Sequence, residues 1–197
     1  MQSKRSMVEI AAQTKRLILR TWGEDDGDRF YEIMNTPMVM RWLGGVQDKA
    51  EWDAALERLN GYQREFGHTF WLIEDKSTGD ILGFCGLKRV NAPGAGRLTD
   101  TPEIGWRLRD SAWGQGIAKH AAIASLDIAF GRFAYDEVVA LTVPANAASQ
   151  GLMKRLGMRR REELDYIDTR FGPELNPSIV YSIAAEDWPA ARAAALA

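Results

Sequence analysis

The residues with the clearest chemical meaning are two closely spaced glycines, Gly114 and Gly116. They lie between a β-rich run from Glu103 to Arg109 and a run of small residues that suits a helix. Glycine has no Cβ and tolerates positive φ, so the backbone can turn sharply there and approach a ligand. The helix that follows offers unpaired N–H groups and the positive end of its dipole. The pattern therefore predicts a binding site for a pyrophosphate group.

The residues after the turn exclude two common phosphate-binding motifs. A Walker loop has a Lys-Ser or Lys-Thr pair after its last glycine, whereas Ile117 and Ala118 stand here. A dinucleotide fingerprint has a third glycine where this chain has Lys119. What remains is a glycine, one variable residue and an alanine at the start of a helix.

A second motif follows a strand-like run from Glu137 to Val143. Asn146 and Ser149, with two residues between them, open a helical run that ends in Leu156-Gly-Met158. Asparagine is favoured as an N-cap, so Asn146 is predicted to cap this helix. A nucleotide-binding α/β enzyme in general would not require an Asn-x-x-Ser pair at this place.

Together the two motifs carry a family resemblance that spans about residues 14 to 183. Trp113-Gly-Gln-Gly-Ile-Ala118 resembles motif A of the GCN5-related N-acetyltransferases (GNAT), which holds the coenzyme A pyrophosphate. The sequence of this motif is most similar to that of the RimJ/RimL-type branch. Asn146-x-x-Ser149 resembles motif B of the same family.

The resemblance implies an α/β (α+β) GNAT fold. Its central sheet would be mixed and mostly antiparallel, with about six to seven strands flanked by helices. A V-like opening is expected between strand four, which starts at Glu103, and strand five, which starts at Glu137.

The length of 197 residues suits one domain with a full core. We expect a flexible N-terminus over residues 1–13, the acetyltransferase domain over 14–183 and a helical C-terminal tail over 184–197. Asp48 is predicted to cap a helix that precedes most of the sheet. Further β-rich runs are predicted at residues 16–22, 69–74, 81–87, 160–167 and 178–183.

Glu103 is the catalytic base that the resemblance implies. An alkyl ammonium with a pKa of about 10.4 must lose a proton before its nitrogen can attack a thioester. Strict alternation would place Glu103 on the strand face of Gly105 and Arg107, opposite Ile104. The residue types alone leave a solvent-facing strand acid as the alternative.

Ser149 is the second catalytic residue, expected to protonate the leaving thiolate. Many relatives carry a tyrosine for this step, at a position that here is Met153, and methionine cannot donate a proton. Either Ser149 replaces it as the donor or the thiolate leaves unassisted.

The resemblance also implies which residues bind acetyl-CoA. Backbone amides of strand four would hold the pantetheine, and the glycine turn would hold the pyrophosphate. Trp113 stands where many relatives have Arg or Gln, which removes one side-chain contact to phosphate. The expected cofactor-binding residues are Trp106, Arg107, Leu108, Trp113, Gly114, Gln115, Gly116, Ile117, Ala118, Asn146 and Ser149.

Composition narrows the remaining classes. A net charge of −2 with interspersed acids and bases gives no basic field for direct nucleic-acid binding. No apolar run is long enough for a membrane span, and we expect a cytoplasmic protein. With a single cysteine, Cys85, and two histidines, no metal site is predicted. Cys85 lies in an apolar run and is expected to be buried and inert rather than nucleophilic.

The resemblance implies an acetyl-CoA-dependent N-acetyltransferase that works by direct attack in a ternary complex. The acceptor would be a primary amine, either a small molecule or a protein N-terminus. The alternative is a non-catalytic acyl-CoA-binding regulatory module with the same fold. The sequence leaves the acceptor's identity open, as well as a homodimer.

Overall fold

The structure is a computed structural model that describes residues 8–197. Its organising element is one eight-stranded sheet in the order β1-β2-β3-β4-β5-β6-β8-β7. The strands are β1 (Ile10–Gln13), β2 (Leu17–Arg20), β3 (Phe70–Asp75), β4 (Ile81–Arg89), β5 (Pro102–Leu108), β6 (Glu137–Thr142), β7 (Arg159–Arg160) and β8 (Ile179–Ala184). The helices are α1 (Asp26–Met34), α2 (Pro37–Met40), α3 (Lys49–Phe66), α4 (Ile117–Gly131), α5 (Ala147–Arg155) and α6 (Trp188–Leu196).

Neighbouring strands are antiparallel except β5 and β6, which run parallel. These two strands pair only at Glu103 and Val139. Beyond this pair the ladder stops, and both strands line a cleft toward their C-terminal ends. The predicted mixed α/β fold, with its opening between strands four and five (β5 and β6), is confirmed, although the sheet has eight strands rather than six or seven.

The N-terminal segment corrects one expectation. Residues 1–13 were expected to be flexible, but Ile10–Gln13 form β1 and pair with β2 at the edge of the sheet. The short alternation there is too weak a sequence signal to predict a strand without its partner. Residues 1–7, also part of that expectation, lie outside the described residues.

The segment after α5 corrects a second expectation from the sequence. The strand expected over residues 160–167 is wrong, because β7 covers only Arg159–Arg160 and a 3₁₀ turn follows at Glu162–Leu164. The backbone pairs with the β8 segment again at an isolated bridge between Tyr166 and Ser178, and between them the carboxylate of Asp165 accepts a hydrogen bond from the backbone N–H of Val180. The strand expected over 178–183 is confirmed as β8.

Helices cover both faces of the sheet because each face is apolar. On one face, Phe30 of α1 and Trp52 of α3 pack with Phe84 of β4. On the other, α4 packs its alanine-rich side against Ile104 and other core residues. Asp48 caps α3 in a reciprocal capping box with Glu51, as predicted. We call α1, α2 and α3 the helical arm.

The C-terminal tail is helical and docked. Trp188 is buried, and its indole N–H donates to Asp127 of α4 at 2.9 Å. The ammonium of Lys119, in the first turn of α4, donates to the carbonyl of Ala195 at 2.9 Å. None of the helices within residues 8–197 is long and apolar enough to cross a membrane.

Candidate active site

A single cleft of about 890 Å³ extends from the opening between β5 and β6 to the helical arm. Its walls come from β5, the start of α4, the end of β6, α5, α2 and α3. The predicted site residues that line it are Glu103, Trp106, Arg107, Leu108, Trp113, Gly114, Gly116, Ile117, Ala118, Asn146 and Ser149. Residues from both sequence motifs therefore meet in one cavity.

The glycine turn lies at one end of the cleft. Gly114 and Gly116 have φ of 72° and 75°, in the left-handed region that glycine adopts without strain. A Cβ on Gly114 would meet nothing within 4 Å, and one on Gly116 would come no nearer than 3.8 Å to His120. Backbone conformation, rather than crowding by the protein, thus requires glycine at both positions.

The N-terminus of α4 fits a pyrophosphate. Gly116 is its N-cap and supplies no side-chain acceptor, so the first N–H groups, at Ile117 and Ala118, have no side-chain cap. Both residues line the cleft. These amides, the helix dipole and the open space beside Gly114 together suit an anionic group.

Gln115 is placed differently from its neighbours in the turn. Its side chain does not line the cleft. Instead, its carbonyl accepts a hydrogen bond from Arg16 at 3.0 Å and its amide donates to the carbonyl of Ser111 at 2.8 Å. Any contact of Gln115 with the cofactor must therefore come from its backbone. Trp113 also has a structural bond, since its indole donates to the carbonyl of Leu108 at 3.0 Å.

Helix α5 forms the opposite wall. The side chain of Asn146 accepts a hydrogen bond from the backbone N–H of Ser149 at 3.2 Å, so the predicted N-cap is confirmed. The Ser149 hydroxyl has no hydrogen bond to any described residue and is half-buried in the cleft. Met153 is buried beneath it, where no phenol is available.

Glu103 is buried at the arm side of the cleft, with 8% of its surface exposed. The ammonium of Lys88, directly opposite on β4, lies 2.7 Å from its Oε2. The angles of this ion pair miss hydrogen-bond geometry, so Oε2 has no hydrogen-bond partner among the described residues. Burial excludes the solvent-facing alternative for Glu103.

Arg107 occupies the same face of β5 as Glu103. Its guanidinium carbon lies 5.0 Å from the ring centre of Phe84. Its Nε is buried and has no hydrogen-bond partner among the described residues. Burial, which disfavours the charged form, lowers the pKa of Arg107 to about 10. The predicted role of this residue rested on its backbone amide, and the sequence did not indicate an unpaired guanidinium.

Cys85 lies outside the cleft. Its thiol is fully buried against α4, 3.6 Å from the Ser125 hydroxyl. Burial raises the pKa of Cys85 to about 12, so the thiol is neutral at ordinary pH. The expectation of a buried thiol is confirmed.

Sequence reasoning missed several lining residues because they come from elements distant in the chain. Lys88 reaches Glu103 only through the pairing of β4 and β5, and Tyr62 only through the packing of α3. Arg155 is different, because it lies on α5 beside the second motif, and its residue type alone did not indicate that it lines the cleft. Within residues 8–197, no cluster of three His, Cys, Asp or Glu side chains could hold a metal ion.

The chain is similar in sequence to known proteins. The family model described as "Acetyltransferase (GNAT) domain" matches residues 16–159. Bacillus subtilis YkkB is 34% identical over 149 residues, which cover 74% of this chain and 83% of YkkB. The N-acetyltransferase YnaD of the same organism is 27% identical over 89% of this chain and 97% of its own length.

A solved structure supports the same assignment at the level of the fold. The acetyltransferase from Agrobacterium tumefaciens superposes with a TM-score of 0.73 at 23% identity, over 93% of this chain and 98% of that one. The family match covers the glycine turn, β5, β6 and α5. The chain therefore belongs to the GNAT acetyltransferase family.

Proposed function

We propose that this protein is an acetyl-CoA-dependent N-acetyltransferase that acetylates a primary amine by direct attack in a ternary complex. The supporting observation is that one cleft holds both an uncapped helix N-terminus suited to an anion and a buried carboxylate, Glu103. The N-acetyltransferase YnaD matches most of this chain, which favours an amine as the acceptor.

The donor would bind along the opening between β5 and β6. Trp106, Arg107 and Leu108 pair with β4 on one side and have no β6 partner on the other. Their backbone groups on the β6 side, other than the Leu108 carbonyl that Trp113 bonds, would bind the pantetheine. The amides from Gly114 to Ala118 would bind the pyrophosphate. When bound, acetyl-CoA supplies an acetyl thioester. Asn146 would face the pantetheine from α5.

Glu103 would accept the proton of the acceptor ammonium, directly or through water. The amine nitrogen then forms a bond to the acetyl carbon, the carbon–sulfur bond breaks and the thiolate leaves. The nitrogen loses its second proton in this step, which balances the proton that the thiolate takes up. A positioned carboxylate contributes about 10²–10⁴-fold to such a proton transfer. Glu103 suits this role because its carboxylate lines the cleft and the Lys88 ammonium, 2.7 Å from its Oε2, holds it in place.

Ser149 would donate a proton to the thiolate, and its hydroxyl is free of bonds to other described residues. A thiol with a pKa of about 8.5 is a good leaving group, so modest help suffices. We also propose that the protein lies in the RimJ/RimL-type branch, because the sequence of Trp113–Ala118 most resembles that branch. We propose that it acts in the cytoplasm, because a reducing compartment suits a chain with a single cysteine.

The test is release of free thiol from acetyl-CoA with a panel of amines, combined with mass spectrometry of the acceptor. The proposal expects thiol release and an acetylated amine in equal amounts. Calorimetry on the same protein measures acetyl-CoA binding. Binding without thiol release for any amine would favour the regulatory module and overturn the proposed enzyme.

A further inference from the structure

Arg107 is a cation without a counter-charge on the acceptor side of the cleft. It lies four positions after Glu103, and alternation along β5 puts both side chains on the face toward the helical arm. It forms no ion pair or side-chain hydrogen bond with any residue from 8 to 197. The guanidinium lies over the ring of Phe84, with its carbon 5.0 Å from the ring centre.

The surroundings of Arg107 make this unpaired charge costly. It borders a small void whose other walls are four apolar or aromatic side chains, Phe30, Met34, Met40 and Trp52, and three residues with polar groups, Tyr31, Asn35 and Gln47. The buried Nε without a hydrogen-bond partner costs free energy, while the side chain as a whole is half-buried and faces the cleft. Although burial lowers the pKa of Arg107 to about 10, the guanidinium stays charged at neutral pH. An anion from outside the chain would remove this cost.

The acidic side chains near the cleft already form ion pairs with other residues. Glu103 pairs with Lys88 at 2.7 Å, and Asp168 pairs with Arg170 at 2.6 Å. Two other arginines line the acceptor side without an ion pair to any described residue: Arg41 and Arg58. This wall of the cleft is therefore net positive, which favours an anionic group on the acceptor and disfavours a polyamine.

We propose, resting on the proposed function, that the acceptor is a primary amine that also carries an anionic group, and that the Arg107 guanidinium binds this group. Carboxylate and phosphate share the required chemistry, since each offers oxygens that can accept two parallel N–H bonds from arginine. Arg107 is then a specificity-determining residue. Four residues of a strand span about 13 Å, so side chains reaching in from both positions can contact one small acceptor.

The experiment compares acceptors that differ in charge. The anionic amines are γ-aminobutyrate, ε-aminocaproate and aminopropylphosphonate, and the last distinguishes phosphonate from carboxylate. Butylamine is the neutral counterpart and putrescine carries a second cation. The parent should acetylate at least one anionic amine with a kcat/KM that exceeds that of butylamine by about 10–100-fold, the range expected from charge-assisted hydrogen bonds.

Two variants then test the residue. Arg107→Met should remove this preference by raising KM for the anionic amine far more than KM for butylamine. Arg107→Lys should keep part of the preference, because it keeps the charge but loses the planar fork. Arg64→Met is the matched control, since Arg64 is an exposed arginine outside the cleft, paired with Glu57.

The outcomes separate the inference from the proposed function. Equal acetylation of butylamine and every anionic amine by the parent, or a preference unchanged in Arg107→Met, would overturn the inference while the proposed function stands. Absence of acetylation for every amine would overturn the proposed function. In that case calorimetry with γ-aminobutyrate and aminopropylphosphonate, in the presence of coenzyme A, still tests the anion site. The inference expects binding to the parent and none to Arg107→Met, and absence of binding to the parent would overturn it.

Discussion

The Lys88 ammonium lies 2.7 Å from the Oε2 of Glu103, across the antiparallel pairing of β4 and β5. Both side chains are largely buried, with 21% and 10% of their surfaces exposed. The pair fixes the position of the carboxylate, and its geometry leaves Oε2 without a hydrogen bond to any described residue. An N–H group of a bound ligand could donate the hydrogen bond that Oε2 lacks, so the arrangement suits an acceptor amine beside Glu103.

Removal of the Glu103 carboxylate should slow catalysis without weakening donor binding. We expect Glu103→Gln to lower turnover by about 10²–10⁴ near neutral pH, because the lost function is proton acceptance. The Kd for acetyl-CoA should stay nearly unchanged. Higher pH should restore part of the rate, since more of the amine is then already deprotonated. Steady-state thiol release across pH checks this, and a variant with the parent's rate and pH profile would remove Glu103 from the mechanism.

Ser149→Ala should have a milder effect. We expect turnover to fall by about tenfold, because a thiolate needs less protonation than the amine needs deprotonation. The loss should shrink with acetyl thioesters of more acidic thiols. Ser111→Ala is the matched control, because Ser111 is exposed and does not line the cleft. An equal loss for all thioesters would show that the hydroxyl does not act on the sulfur.

The glycine turn allows a controlled test of donor binding. Gly116 and Gly79 have nearly equal φ, 75° and 74°, and neither has crowding neighbours, so a glutamate at either position costs similar backbone strain. Gly116→Glu adds a negative charge at the helix N-terminus and should weaken acetyl-CoA binding by about tenfold or more. Gly79→Glu, in the β3–β4 turn, should not. Equal affinity of the two variants in calorimetry would show that the donor binds elsewhere.

Cys85 should be dispensable for the chemistry. Because burial raises the pKa of its thiol to about 12, almost no thiolate exists at neutral pH. Cys85→Ala should retain turnover within a few-fold, with a small loss of stability from the missing buried sulfur. Mass spectrometry of the parent during turnover provides the decisive check. An acetylated Cys85 that passes its acetyl group to the acceptor at the turnover rate would refute direct attack.

His68 should make the fold sensitive to mild acid. Burial lowers its pKa below the usual 6.5, and its ring bonds the carbonyl of Leu87 and the hydroxyl of Tyr135. A histidine with a lowered folded-state pKa stabilises the protein fully above its unfolded-state pKa, and this stability falls as pH drops below about 6.5. Denaturant unfolding at several pH values measures the slope. His68→Gln, which removes the titrating ring, should flatten this slope.

Much of the fold follows from local sequence. The capping box at Asp48, the N-cap at Asn146 and the positive φ at Gly114 depend on residues within a few positions, so their types suffice to predict them. Edge strands are different. The strand Ile10–Gln13 exists because β2 offers an unpaired edge. The predicted strand at 160–167 is interrupted where the Asp165 carboxylate accepts a hydrogen bond from the backbone N–H of Val180.

For the site, the sequence by itself determined the family, the glycine turn, the Asn-x-x-Ser pair and the candidate base Glu103, because each is a short motif whose meaning does not depend on distant residues. The tertiary structure decided the surroundings of those residues. Lys88 meets Glu103 through a strand register, and the guanidinium of Arg107 lies unpaired beside Phe84 through the packing of the helical arm on the sheet. Charge pairing and burial are properties of contacts between distant segments, and only the folded chain brings those segments together.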